Sequence, residues 1–175
     1  MAAGSRLAWG WHPLVDSWAA RIVADAGIRP GDLVLDIGAG HGALTRHLVA
    51  AGARVIAIEP HAARADRLRE RFADQPVSVV EATADAFRLP RRPFRVVANP
   101  PFSISTALVR ELLTPHSELR AADLVLQRAT VRRLVESRPV WRSRFWLAEG
   151  ARVPRRAFMP SPRVDAAVLV IRRRT

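Results

Sequence analysis

Leu33-Val-Leu-Asp-Ile-Gly-Ala-Gly-His-Gly42 decides the fold of this chain. Leu33 to Ile37 reads as a short buried strand, and Ala43 to Ala51 reads as the helix that follows it. Between them, Gly38 and Gly40 permit a tight turn with close approach to the backbone, and Gly42 lets the helix begin against the sheet.

Outward from this unit the same alternation recurs. Pro13 to Ala26 predicts an amphipathic helix stopped by Gly27. Arg54 to Glu59 predicts a second strand, His61 to Phe72 an Arg/Ala-rich helix, Val77 to Glu81 a third strand and Phe94 to Asn99 a fourth. A helix over Thr106 to Leu113, a strand over Ala122 to Gln127 and a basic helix over Ala129 to Glu136 come next. Arg152 to Pro162 reads as irregular and Pro-rich, and Val164 to Ile171 as the last strand. Apolar strands separated by helices predict one α/β domain with a mostly parallel, doubly wound sheet. Ligands gather at the carboxyl ends of such strands.

The 175 residues are enough for one proper core. Mean hydropathy is +0.01 and no apolar run approaches a membrane span. Without cysteine there is no disulfide framework, and a reducing cytoplasm is the expected compartment. All 28 basic residues are Arg, and the net charge is +12. A GC-rich genome explains Arg in place of Lys but not the excess of base over acid, which favours a polyanionic partner such as nucleic acid. The five histidines are scattered without metal-ligand spacing, so no metal site is expected.

Three acids end predicted strands on the glycine-loop edge. Asp36, just ahead of the loop, repels a pyrophosphate but suits a ligand carrying an ammonium group. The third glycine also falls one position early for a dinucleotide loop. S-adenosylmethionine has an ammonium, a sulfonium and no phosphate. Glu59 is placed to take both ribose hydroxyls, which fits any adenosine nucleoside. Asp85 is either an acceptor for an adenine amino group or an exposed loop acid. The fourth strand then runs into Asn99-Pro100-Pro101-Phe102. Such a sequence is either a plain turn or a holder for an exocyclic amine. In the second case the Asn99 and Pro100 carbonyls accept the two N–H bonds and Phe102 stacks on the ring, aiming the amine lone pair at an electrophile.

Asp36-x-Gly-x-Gly-x-Gly, Glu59, Asp85 and Asn99-Pro-Pro-Phe, in this order, resemble the amino-methyltransferases. Phe158-Met-Pro-Ser-Pro-Arg-Val164 is similar to the F-x-P-x-P-x-V segment of the ribosomal RNA adenine N6-methyltransferases, the Erm and KsgA/Dim1 family. The resemblance implies a Rossmann-like class I S-adenosylmethionine-dependent domain over 1–175, with 1–30 as a cofactor-closing segment and helix. Gly10-Trp11-His12-Pro13-Leu14 stands at the family's first cofactor segment, matching at His12 and Leu14. The resemblance assigns Gly38, Gly40, Glu59, Asp85 and Asn99 to the cofactor, Asn99 and Pro100 to catalysis, and Phe102 to stacking on a flipped adenine. Phe158 is either a second wall of the base pocket or core packing.

Family members usually continue into a helical C-terminal domain that helps hold RNA, and the short form resembles Erm-like enzymes of actinobacteria. RNA contact is then expected from Arg6, Arg128, Arg132, Arg133, Arg138, Arg142, Arg144, Arg155, Arg156 and Arg172 to Arg174, with Trp141 and Trp146 stacking on bases, unless these are solvated arginines over buried tryptophans. The implied reaction is N6-methylation, once or twice, of an adenine in 23S ribosomal RNA by a cytoplasmic monomer, giving macrolide-lincosamide-streptogramin resistance. Rival readings are a small-subunit RNA adenine dimethyltransferase, an N5-glutamine protein methyltransferase, a DNA adenine methyltransferase, a non-catalytic RNA-binding relative and a nicotinamide oxidoreductase.

Overall fold

The computed structural model describes residues 12–137 and 140–175. Seven strands form one sheet: β1 (Leu33–Ile37), β2 (Arg54–Ile58), β3 (Val77–Val80), β4 (Phe94–Ala98), β5 (Leu119–Gln127), β6 (Phe145–Val153) and β7 (Ala166–Arg173). Their order is β3-β2-β1-β4-β5-β7-β6. The first five run parallel, while β7 lies antiparallel to both β5 and β6. The expected doubly wound sheet is therefore present, with a switch in winding between β1 and β4.

The helices are α1 (Asp16–Ala26), α2 (Ala43–Ala50), α3 (Ala62–Arg71), α4 (Ser105–Leu112) and α5 (Arg128–Glu136). The central strands β1 and β4 are largely buried because helices cover both faces. In β1, Val34 packs with Ile22 and Val23 of α1 and Leu44 and Leu48 of α2. Its neighbours Leu33, Leu35 and Ile37 join the opposite core, with Leu108 and Leu112 of α4 and Val131 and Leu134 of α5. A smaller cluster seats Leu68 of α3 and Phe72 against Ala57 of β2. Among the described residues no helix is long and apolar enough to cross a membrane.

Three differences from the sequence reading have physical causes. Helix α1 begins at Asp16 rather than Pro13, because the residues before it are extended and bonded to the chain at 157–159. Leu14 bridges to Phe158, the Val15 N–H donates to the Ala157 carbonyl at 2.8 Å, and the Met159 N–H donates to the Pro13 carbonyl at 3.0 Å. Strand β6 has no counterpart in the sequence reading. Its register with β7 slips between Glu149 and Arg152, so its inward and outward positions do not alternate cleanly. Strand β7 continues through Arg172 and Arg173, which the sequence reading placed beyond the last strand as RNA contacts. Arg172 instead forks onto the buried Asp123 with both bonds at 3.0 Å, and Arg173 donates to the Leu119 carbonyl at 2.7 Å.

Gly42 makes the turn into α2 at φ +85°, and a Cβ there would lie 2.7 Å from the Phe72 ring. Gly42→Ala carries both left-handed strain and overlap, and lowers the unfolding free energy by roughly 2–4 kcal/mol in urea denaturation.

Candidate active site at the carboxyl edge of the sheet

The parallel register carries Ile37 of β1 beside Ile58 of β2, so the loops after both strands open at one edge. The Gly38 and Ala39 N–H groups donate to the Ile58 carbonyl at 2.8 and 3.0 Å, fixing the glycine turn there. Across the switch point, β4 delivers Asn99-Pro100-Pro101 against the same turn. A Cβ on Gly38 would sit 3.3 Å from Pro101 Cδ and 3.5 Å from Pro100 Cα. With φ at +77° and this tight spacing the position favours glycine, and the two motifs come into direct contact.

The Asn99 Nδ2 donates to the His12 carbonyl at 2.8 Å. A carbonyl only accepts, so the bond fixes which end of the amide is nitrogen and leaves Oδ1 as the end able to receive an N–H. His12 in turn donates from Nδ1 to the Pro160 carbonyl at 3.0 Å, and its ring lies 6.0 Å from that of the half-buried Phe102. His12, Asn99, Pro100 and Phe102 are thus brought together. Leu14 is buried behind them with Phe158. Gly10, Trp11, Arg6 and Arg138 lie outside the described residues.

Glu59 is buried and holds the glycine turn. Its Oε2 accepts the Gly40 N–H at 2.9 Å, while Oε1 accepts the His61 N–H at 3.0 Å and Arg64 Nε at 2.9 Å. Oε1 thus carries donors from two residues and Oε2 from one. Asp36 is 1 % exposed and accepts the Thr45 hydroxyl at 2.7 Å. Its side chain is turned beneath the loop toward α2, with Oδ2 held by that bond. Arg64 and Thr45 were invisible to sequence reasoning: nothing in a helix pattern distinguishes an Arg or Thr that reaches back to a strand end.

Asp85 lies exposed in the turn after β3, where the Thr83 hydroxyl and nearby backbone N–H groups hold its carboxyl below the usual range. Phe158 is 2 % exposed and packs with Leu14, Val97 and Val125. Of its two readings the structure takes core packing; the ring presents no face to a base.

The expected RNA contacts divide. Arg144 donates to the Leu113 and Pro115 carbonyls at 2.8 and 2.9 Å, and Arg142 donates to the Val135 carbonyl. Together with Arg172 and Arg173, Arg144 is committed to the fold itself, which corrects the assignment of these three to RNA, while Arg142 stays exposed beside its bond. Arg128 pairs with Glu149 at 2.6 Å and holds that carboxyl below its ordinary range. Arg155 pairs with Asp165 at 3.1 Å. Arg133 reaches Thr106 at 3.1 Å, and Arg132 lies 3.9 Å from Glu136. Both of these stay exposed, as do Arg156 and Arg174. Trp146 is 49 % exposed, whereas Trp141 is half-buried with its Nε1 shut from solvent.

A glycine turn packed on an Asn-Pro-Pro turn, with two buried acids beneath it, is the arrangement that the sequence reading assigned to an S-adenosylmethionine site. Residues 12–175 match the family described as ribosomal RNA adenine dimethylase. The chain belongs to this family. It is 37% identical to the mycinamicin-resistance protein MyrB of Micromonospora griseorubida, across 99% of this chain and 58% of that protein. It is 34% identical to ribosomal RNA small subunit methyltransferase A of Thermosynechococcus vestitus, across 96% of this chain and 69% of that one. The crystal structure of the 23S rRNA methyltransferase ErmE superposes with a TM-score of 0.82 at 32% identity, covering 93% of this chain and 70% of that one. The sheet is thus the Rossmann-like methyltransferase fold. The chain spans a little under three fifths of the length of the first curated relatives it matches.

Burial raises the Asp36 carboxyl to about 7, with Glu59 adding to the shift and the Thr45 bond opposing it. The folded chain keeps this proton where the unfolded chain has lost it. The resulting stability is full below about pH 4 and lost as pH rises through about 7. Asp36→Asn keeps an acceptor for Thr45 and lacks that slope. Between pH 4 and pH 8 it gains roughly 2–4 kcal/mol on the parent in paired urea titrations.

Proposed function

We propose that the protein transfers methyl groups from S-adenosylmethionine to N6 of an adenine in 23S ribosomal RNA, once or twice. When bound, the cofactor supplies an electrophilic methyl group on a sulfonium. The observation that carries the reading is the Asn99 amide, turned by the His12 carbonyl so that Oδ1 is its accepting end, against the Gly38 turn.

Asn99 Oδ1 and the Pro100 carbonyl accept the two N–H bonds of the adenine amine and direct its lone pair. Phe102 covers the base face. Positioning of this kind substitutes for a strong general base. N6 is unreachable inside a stacked helix, so the base is extruded into the site. The net charge of +12 favours a ribosomal RNA strand over a protein amide. Exposed Arg132, Arg133 and Arg156 are the arginines best placed to meet phosphate.

The names of MyrB and ErmE support the large subunit and resistance to macrolide-type antibiotics. A small-subunit target is the second reading, because a small subunit methyltransferase is nearly as similar. The working form is taken to be a cytoplasmic monomer acting on free ribosomal RNA or an assembly precursor.

With labelled cofactor and total ribosomal RNA, the expected product is N6-methyladenine or its dimethyl form in 23S RNA. Asn99→Ala lowers transfer by at least about 100-fold, while calorimetric cofactor affinity changes by less than about threefold. Label in 16S RNA selects the second reading; label in protein or DNA alone overturns both.

A further inference from the structure

Met159 is 73 % exposed, the most of the large apolar side chains that reach solvent among the described residues. Isolated apolar side chains at a surface are ordinary. This one differs in its mount. The preceding Phe158 is buried in the core, and the Met159 N–H is held by the Pro13 carbonyl at 3.0 Å. The following Pro160 carbonyl receives His12 Nδ1 at 3.0 Å, and the Ser161 hydroxyl donates to the Phe158 carbonyl at 3.4 Å. The backbone on both sides is fixed, so the side chain stays projected into solvent.

The mount is also part of the site. His12 joins Pro160 on one side to Asn99 and Phe102 on the other. Arg156, Arg163 and Val164 are exposed on the same stretch, giving an apolar tip flanked by cations. Nucleic acid accepts such a tip between base steps while its phosphates meet the flanking charges. Extruding a base leaves a gap of one base in the stack, beside the place where that base is held.

We propose that Met159 is a positioning residue that fills the gap left in the RNA stack when the target adenine is drawn toward Asn99 and Phe102. The inference rests on the RNA adenine reading above. It assigns Met159 to the extrusion step, not to cofactor binding or to the ring-facing wall.

The test uses the full chain and a hairpin cut around the mapped adenine, in two forms: one with that adenine paired, one with the facing nucleotide removed. Met159→Ala lowers kcat/KM about tenfold on the paired hairpin and less than about twofold on the unpaired one. Met159→Leu keeps the parent rate on both. With 2-aminopurine at the target position, binding of the parent raises fluorescence, and binding of the Ala variant raises it less. No loss on either hairpin, an equal loss on both, or a Leu variant as impaired as Ala overturns the wedge and leaves the activity standing. A parent protein that labels no ribosomal RNA overturns the activity and the wedge together.

Discussion

The contact between Gly38 and the Pro100-Pro101 turn is the constraint on which the site depends. Two loops that follow neighbouring parallel strands meet there with 3.3 Å between an added Cβ and a proline ring. In the proposed reaction, the approach sets how near a nucleoside on the glycine turn would lie to a base at Asn99. It is sustained by ordinary sheet bonding: Ile58 of β2 holds the glycine turn, and the β1–β4 pairing holds the Asn-Pro-Pro turn. Both supports lie in the interior, where close packing resists displacement.

A second layer ties that geometry to the far end of the chain. Residues 12–15 pair with 157–159 across the top of the sheet, placing the His12 carbonyl on Asn99 and burying Phe158 beneath. Arginine contributes as a structural cation as much as a surface charge. Arg95 closes the end of α1 by donating to the Gly27 carbonyl and pairing with Asp32, and Arg172 neutralises Asp123 within the sheet. Planar forks suit such carbonyl and carboxylate partners better than an ammonium does. A high net charge on this fold therefore overstates the number of arginines available to a ligand.

The parts legible in the sequence are those fixed by local pattern. The run Leu33–Gly42, the apolar strands β2 and β4, and the order of Asp36, Glu59 and Asn99 all depend on neighbours in the chain, and their predicted boundaries stand within a residue or so. What escaped depends on distant partners. Strand β6 is half exposed and bulged, so its period is blurred. The arginines of β7 look like a tail until Asp123 and Leu119 stand opposite them. Phe158 in isolation is as suited to a base as to a core, and only its burial against Leu14, Val97 and Val125 decides between them.

The bond from Asn99 to residue 12 ends on a main-chain oxygen. The orientation of the amide is thus written in the path of the chain and not in any side chain at position 12. Scanning that position with other residues leaves the acceptor in place, so the support is hidden from conventional mutagenesis. A nick, an insertion or a fusion that shifts the segment by one residue removes it at once.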